Sequence, residues 1–400
     1  MKGALDGFRV LDLSRILAGP WATQMLADCG AEVIKIERPG SGDDTRGWGP
    51  PYMGDGEGDA AYFHCANRGK QSLAVDITHP EGQALVHQLA REVDVVVENF
   101  KVGALKRYHL DYASLKATNP RLVYCSITGF GQSGPYRERA GYDFMIQAMG
   151  GLMSVTGEPD GQPTKVGVAL TDVMTGLYAC NAIQAALLHR ERHGVGQHID
   201  LALLDVQVAT LANQAMNYLA SGEAPGRLGN AHPNIVPYQA FATADGYIVL
   251  AVGNDTQFAR FCELAGEPGL ARRAEFATNR DRVRHRQALV PIIEQLVRRQ
   301  NSAWWLEQLS RQGVPCGPIN TLDQVFADPQ VQHRQMRLEL VKDDGSRSPS
   351  VANPVKFSAT PIEYRGPPPA LGQHSDQVLR ELLHFDDDRI TALKNKGVVA

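Results

Sequence analysis

Asp172 is the only carboxylate between Asp160 and Glu191, and it opens a run, VMTGLYACNAIQAALL, that is otherwise almost wholly apolar. A carboxylate in the first turn of a helix meets backbone N–H groups and the positive end of the helix dipole, which keep it ionised. Two readings follow. Asp172 stabilises a helix start, or it is a carboxylate nucleophile that forms a covalent acyl intermediate in a dry site. A second constellation is cationic: Arg15, Arg38, Arg46, Arg68, Lys70, Arg107 and Arg139 all fall in loops or helix starts just beyond strand-like runs. Gathered at one sheet edge, they match an anionic ligand bearing phosphates, which guanidinium forks recognise well. GFGQSG (129–134) has the spacing of a dinucleotide loop, but it follows a late strand and Pro135-Tyr136-Arg137-Glu138-Arg139 precedes the next helical run. No acidic strand end lies about twenty residues on, so the run reads as a loop shaping the mouth of a site. The 12 histidines form no pair at metal-ligand spacing, and neither a G-x-S-x-G elbow nor a Walker loop is present. Metal-hydrolase, serine-hydrolase and P-loop chemistry are thereby disfavoured, and no metal is expected.

The elements that must carry these residues follow from periodicity. FRVLDLS (8–14), AEVIKIE (31–37), QSLAVDI, DVVVENF (94–100) and RLVYCSIT (121–128) are strand-like, and helical patterns separate them. Strand, helix, strand repeated this way predicts an α/β fold on a parallel sheet, with the ligand at the carboxyl ends of the strands. A long helix is predicted from Thr171, its N-cap, to about His193, with Gly194 closing it and nearly every face buried. GQHIDLALL reads as another strand, and DVQVATLANQAMNYLASG as one helix ending at Gly222. The Gly- and Pro-rich loop 224–239 marks a boundary. Beyond it, a hairpin around Asp245-Gly246, helices to about Gln312 and the turn VPCGPIN describe a smaller α+β domain. The tail from Asp328 adds two strand-like runs, LELV and NPVKFS, and two helices.

Composition narrows the class. At 400 residues the chain exceeds one ordinary domain, and 40 Lys+Arg against 44 Asp+Glu leave a net charge of -4 with no basic tract to follow a nucleic acid. No apolar run approaches the eighteen or so residues of a membrane helix, and the opening MKGALDGFRVLDLS resembles neither a signal nor a transit peptide, so a cytoplasmic protein is expected. Six cysteines stand singly, without a C-x-x-C, and are expected to be reduced thiols.

Six motifs carry a resemblance over almost the whole length: V-L-D-L-S-R-I-L-A-G-P (10–20), G-A-E-V-I-K-I-E-R-P-G with D-D-T-R-G-W (30–48), N-R-G-K (67–70), E-N-F (98–100), S-I-T-G-F-G (126–131) and T-D-V-x-T-G (171–176). With them the chain resembles the class III CoA-transferases. The resemblance implies a Rossmann-like large domain with a parallel sheet, built from 1–220 and 328–400, a small α+β domain at 221–327, and a homodimer of interlocked rings. It implies that Asp172 is the nucleophile, and that CoA, a substrate rather than a permanently bound cofactor, is held by Ile16, Arg38, Lys70, Asn99, Phe100, Arg107 and Arg139. Arg15, Leu17, Trp48 and Tyr142 are the expected substrate contacts, Arg15 as partner of a distal carboxylate. The oxalate-using branch has Gln where this chain has Leu17, and a glycine-run lid where it reads GNAHPNIVPYQ. Succinyl-CoA as donor, with glutarate, itaconate or malate as acceptor, fits the resemblance best. The alternative is a 2-methylacyl-CoA racemase on the same fold, whose G-H-D motif is Gly141-Tyr142-Asp143 here; tyrosine, with a pKa near 10, is a poor base at neutral pH.

Overall fold

Runs rich in Val, Ile and Leu form the sheet because both of its faces are covered. The strands are β1 (Arg9–Asp12), β2 (Glu32–Glu37), β3 (Gln71–Ala74), β4 (Val95–Glu98), β5 (Val123–Thr128) and β6 (His198–Ala202). All pairs are parallel and the order is β3-β2-β1-β4-β5-β6. The order reverses between β1 and β4, where the chain leaves adjacent strand ends in opposite directions and opens a crevice. The structure, a computed structural model, describes residues 3–54, 56, 58–342 and 345–400.

Alternation along each strand divides the core in two. Leu11, Ile34, Val96 and Tyr124 face one cluster, and Val10, Val33, Val95 and Val97 face the other. Over the second face lies α1 (Ala18–Asp28), which follows β1. The short α2 (Ala61–His64) precedes β3, while α3 (Pro80–Glu92) and α4 (Tyr112–Lys116) cross from β3 to β4 and from β4 to β5 on the first face. Between β5 and β6 come α5 (Asp143–Met149), α6 (Leu152–Val155) and the long α7 (Leu170–His193). α7 packs against α1 so closely that a side chain on Gly176 would meet the Ala18 carbonyl at 2.8 Å. Its inner face is buried, but Leu177, Tyr178 and Leu188 are exposed at 38%, 44% and 53%, so the expectation of a helix covered all round does not hold in the single chain.

After β6, the expected single helix is two, α8 (Leu203–Thr210) and α9 (Ala212–Ser221). Ala212 has φ +47°, and this left-handed residue breaks the helix although no Gly or Pro marks it in the sequence. The chain forms two compact units, one of Met1–Leu152, Val166–Ala215 and Pro329–Ala400, the other of Met153–Lys165 and Met216–Asp328. Residues 153–165 join the second unit through Arg227, whose guanidinium donates to the carbonyls of Glu158, Pro159 and Gly161.

The second unit holds an antiparallel sheet of β7 (Tyr238–Ala242), β8 (Tyr247–Ala251) and β9 (Cys316–Pro318). Helices α10 (Asp255–Leu264), α11 (Asn279–Arg284), α12 (Arg286–Val297), α13 (Ser302–Arg311) and α14 (Leu322–Ala327) accompany it. VPCGPIN, expected as a turn, supplies β9 because its backbone pairs with β8. The tail returns to the first unit with α15 (Pro329–His333), the hairpin β10 (Arg337–Val341) and β11 (Arg347–Val351), then α16 (Ser375–Leu383) and α17 (Asp387–Asn395). The second tail strand is therefore RSPSV and not NPVKFS, since the run directly after the Gly345 turn folds back onto β10. Among the described residues no helix is long and apolar enough to cross a membrane.

Candidate active site

The strand ends β1, β2, β4 and β5 surround a cavity of about 520 Å³ in the first unit. Its floor rests on a buried ionic frame. Lys35 donates to the Ser14 carbonyl at 2.8 Å and to Asp43 at 2.9 Å, both side chains of the pair being wholly buried. Lys70 donates to Asp12, the Pro20 carbonyl and Asn67 at 2.9–3.0 Å. Burial pushes the Asp12 carboxyl up, but Lys70 and Lys35 outweigh it and hold it at about 2. Burial pulls the Lys70 ammonium down to about 8 against the attraction of Asp12. Asp43 also receives the Ile16 N–H, and Ile16 has φ +72°, a conformation that a β-branched residue adopts only when its surroundings enforce it.

The frame sorts the expected cations. Arg15, Arg38, Arg107 and Arg139 line the cavity, joined by Arg137. No ion pair among the described residues occupies Arg38, Arg107 or Arg139; Arg107 stacks on Tyr108, and Arg139 on Phe130 and Tyr136. Arg46 is spent on Glu37 and Asp59, and Arg68 on Asp28, in buried pairs. Lys70, expected to contact the ligand, does not reach the cavity, because Asp12 would otherwise be an uncompensated buried charge. Ile16, Leu17, Asn99, Phe100 and Tyr142 all line it. The GFGQSG loop contributes Gly129, packed backbone to backbone on Gly141, while the N–H groups of Gly131 and Gln132 are taken by Thr128 and Asp200. Two of the amides that a pyrophosphate cradle would use are thereby taken.

Asp172 lies on the cavity wall in the first turn of α7. The expected cap, Thr171, turns its hydroxyl to Gln207 instead, at 2.6 Å. Asp143, at the start of α5, caps the helix: its Oδ1 accepts the N–H groups of Thr171 and Asp172 at 2.8 and 3.2 Å, and Gln147 steadies its other oxygen at 2.7 Å. The amides that would have kept Asp172 ionised are thus occupied by a second carboxylate. Burial, and then the Asp143 charge, push the Asp172 carboxyl up to about 7, and no described residue donates a hydrogen bond to it. A carboxylate so raised is a stronger nucleophile than an ordinary one, yet a large fraction remains ionised at neutral pH. Burial and the Asp172 charge in turn push the Tyr62 hydroxyl up to about 12. Trp48, exposed and outside the cavity lining, packs edge-on against Tyr62 with ring centroids 5.4 Å apart.

Beneath Asn99 and Phe100, Glu98 accepts the Phe100 N–H at 2.8 Å, and burial raises its carboxyl to about 7 despite a bond from Ser126, which also meets His198 at 2.9 Å. Asp143, Tyr62, Glu98 and the Lys35–Asp43 pair escaped sequence reasoning. Four of these residues stand in quoted runs, Lys35 in G-A-E-V-I-K-I-E-R-P-G, Asp43 in D-D-T-R-G-W, Glu98 in E-N-F and Asp143 in Gly141-Tyr142-Asp143, but their roles depend on partners those runs do not show.

The fold and site together define an α/β protein that gathers free guanidinium groups and the raised carboxylate of Asp172 around a crevice, as suits a phosphate-bearing acyl carrier. The model for CoA-transferase family III matches residues 5–375, and the chain belongs to that family. It is 55% identical to succinate–glutarate CoA-transferase of Agrobacterium fabrum over 95% of this chain and 96% of that one. It is 44% identical to human succinyl-CoA:glutarate CoA-transferase over 99% and 90% of the two chains. A CaiB/BaiF family protein of Brucella suis, known from its crystal structure, superposes with a TM-score of 0.85 at 52% identity, covering 96% of this chain and all of that one. The chain is a CoA-transferase and takes CoA thioesters as substrates.

Proposed function

We propose that the enzyme moves CoA from succinyl-CoA to a dicarboxylate, glutarate first among the candidates, through covalent intermediates on Asp172. The carrying observation is Asp172 itself, a raised carboxylate to which no described residue donates a hydrogen bond, on the wall of the same cavity as Arg38, Arg107 and Arg139. One Asp172 oxygen attacks the thioester carbonyl, the C–S bond breaks, and CoA leaves as thiolate with a mixed anhydride behind it. The thiolate attacks the aspartyl carbonyl and expels succinate. The acceptor carboxylate then attacks the aspartyl thioester, releases the thiolate and forms a second anhydride. Attack of the thiolate on the acceptor's acyl carbon gives the new thioester and restores Asp172. No water is consumed, so each covalent step replaces a difficult exchange between thioester and carboxylate with an easier one.

In this reading the CoA contacts are Ile16, Arg38, Asn99, Phe100, Arg107 and Arg139, with Lys70 holding the frame beneath them. Leu17 and Tyr142 stand at the acyl end, and Trp48, outside the cavity lining, backs Tyr62. The exposed apolar stripe of α7 supports a homodimer of interlocked rings, which light scattering on the eluted protein would reveal as twice the chain mass. Glutarate is favoured among acceptors by the activities for which the Agrobacterium and human relatives are named. A racemase on this fold needs an acid and base pair across the α-carbon, and no histidine lines the cavity among the described residues. The test is mass spectrometry of purified enzyme with succinyl-CoA and a panel of acids. Glutaryl-CoA should form, and hydroxylamine added during turnover should convert Asp172 to its hydroxamate. A panel that yields no new dicarboxyl-CoA beyond the succinyl-CoA supplied, or a modified side chain other than Asp172, refutes the reading.

A further inference from the structure

Arg15 stands apart from the other cavity cations. Its backbone is clamped across the switch point: the Arg15 N–H donates to Asn99 Oδ1 at 2.9 Å, and Asn99 Nδ2 donates to the Arg15 carbonyl at 2.7 Å. Its guanidinium is aimed by two neighbours, Asp44, which accepts from Nη1 at 3.0 Å, and the Phe100 ring, 5.6 Å from Cζ. Its Nε is buried and has no hydrogen-bond partner among the described residues. One side of the fork is therefore engaged, and the Nε–Nη2 side, the edge that pairs a carboxylate with two parallel hydrogen bonds, is not. Asp44 cancels the local charge, which suits a monoanion that needs directed donors better than a phosphate that needs net positive charge. Arg38, Arg107 and Arg139, without ion pairs among the described residues, meet the latter need. Arg15 is also three residues from Ala18, whose carbonyl packs on Gly176, one turn beyond Asp172.

We propose that Arg15 reads the far carboxylate of the dicarboxyl group whose near end is carried by Asp172, with Asp44 holding the guanidinium in register. This rests on the assignment of dicarboxylates as substrates and names the residue that selects them. A small swing of the guanidinium off Phe100 brings its buried Nε to the incoming oxygen. A methyl group in place of that carboxylate leaves Arg15 only its bond to Asp44, and the monoacid is rejected by the loss of two charge-assisted bonds.

The test is an internal competition. Enzyme and succinyl-CoA are mixed with equal glutarate and pentanoate, which differ only in a carboxylate exchanged for a methyl, and the two products are counted by mass spectrometry. Their ratio reports relative kcat/KM and is independent of the donor half-reaction. The wild type should favour glutarate, and Arg15→Gln should lower the ratio by roughly 10–100-fold. Arg15→Lys, which keeps the charge and loses the fork, should lower it less, and it gives a ratio should the glutamine variant turn over too slowly. CoA affinity measured by calorimetry should stay within about threefold in both variants. A ratio unchanged in the variants, a wild type indifferent to the two acids, or a loss of CoA affinity matching the loss of rate overturns the assignment of Arg15. A wild type that makes glutaryl-CoA but fails one of these criteria leaves the substrate reading intact. One that makes neither product removes the substrate reading and this inference with it.

Discussion

Replacing Asp143 by asparagine removes one negative charge from the N-terminus of α7 and keeps an oxygen able to accept the N–H groups of Thr171 and Asp172. The cap should survive, and the protonation of Asp172 should change. The Asp172 carboxyl is raised from 3.8 to about 7, with burial the larger cause and Asp143 the second. Two unit charges roughly 6–10 Å apart at an effective dielectric of about 20 interact by about 2–3 kcal/mol, or one to two pKa units. Because burial outweighs the charge, the lower figure applies, and Asp172 in the variant should titrate about one unit lower. The sign is fixed: the nucleophile must be ionised, so kcat/KM rises with pH through the Asp172 pKa, and the variant's rise comes at lower pH. At pH 6 the ionised fraction grows from about one tenth to about one half, a gain of about fivefold. Above pH 8 both proteins are ionised, and the variant should be slightly slower because its carboxylate is less basic. The assay is kcat/KM for CoA exchange between about pH 5 and 9 at constant ionic strength, with Asp143→Ala alongside. The alanine variant also loses the cap and should be less stable by about 1 kcal/mol. An acid limb that stays in place, or moves up, in Asp143→Asn would show that Asp143 does not set the ionisation of the nucleophile.

Asp172→Ala should bind CoA as the wild type does and exchange none of it, which calorimetry and the transferase assay separate; residual exchange at wild-type rate would remove Asp172 from the chemistry. The native state holds the Asp172 proton more tightly than the unfolded chain, so this group's contribution to stability falls as pH rises from about 4 through 7. Asp172→Asn should accordingly be more stable than wild type at pH 8, by on the order of 2 kcal/mol, with the gap closing below pH 4 in denaturant titrations. Gly176→Ala drives a methyl against the Ala18 carbonyl, backbone that cannot turn aside, and should cost about 1–3 kcal/mol and reduce kcat through displacement of Asp172; thermal unfolding and kinetics together check it. Lys70→Met leaves Asp12 buried beside Lys35 alone and should destabilise by about 3–5 kcal/mol, read as a fall in the denaturation midpoint.

The strands, the long helix and the cationic loops were legible because each is written in residues a few positions apart. Alternating Val10 and Leu11, or Val95 and Val96, must face opposite sides of a strand wherever it lies. The gap of carboxylates around Asp172 likewise marked it before any fold was known. What each charge does was not legible. Lys70 and Arg139 look alike in sequence, but Lys70 meets Asp12, 58 residues away, inside the core, and Arg139 meets the Phe130 and Tyr136 rings at the cavity. Thr171 carries the local signature of a cap, yet Asp143, 28 residues earlier, takes that place. Local pattern fixes which face a residue presents, because backbone geometry repeats every two or 3.6 residues. Whether a charge is free, paired or forced to hold its proton depends on burial and on partners distant in the chain, and only the tertiary structure brings those within a few ångströms.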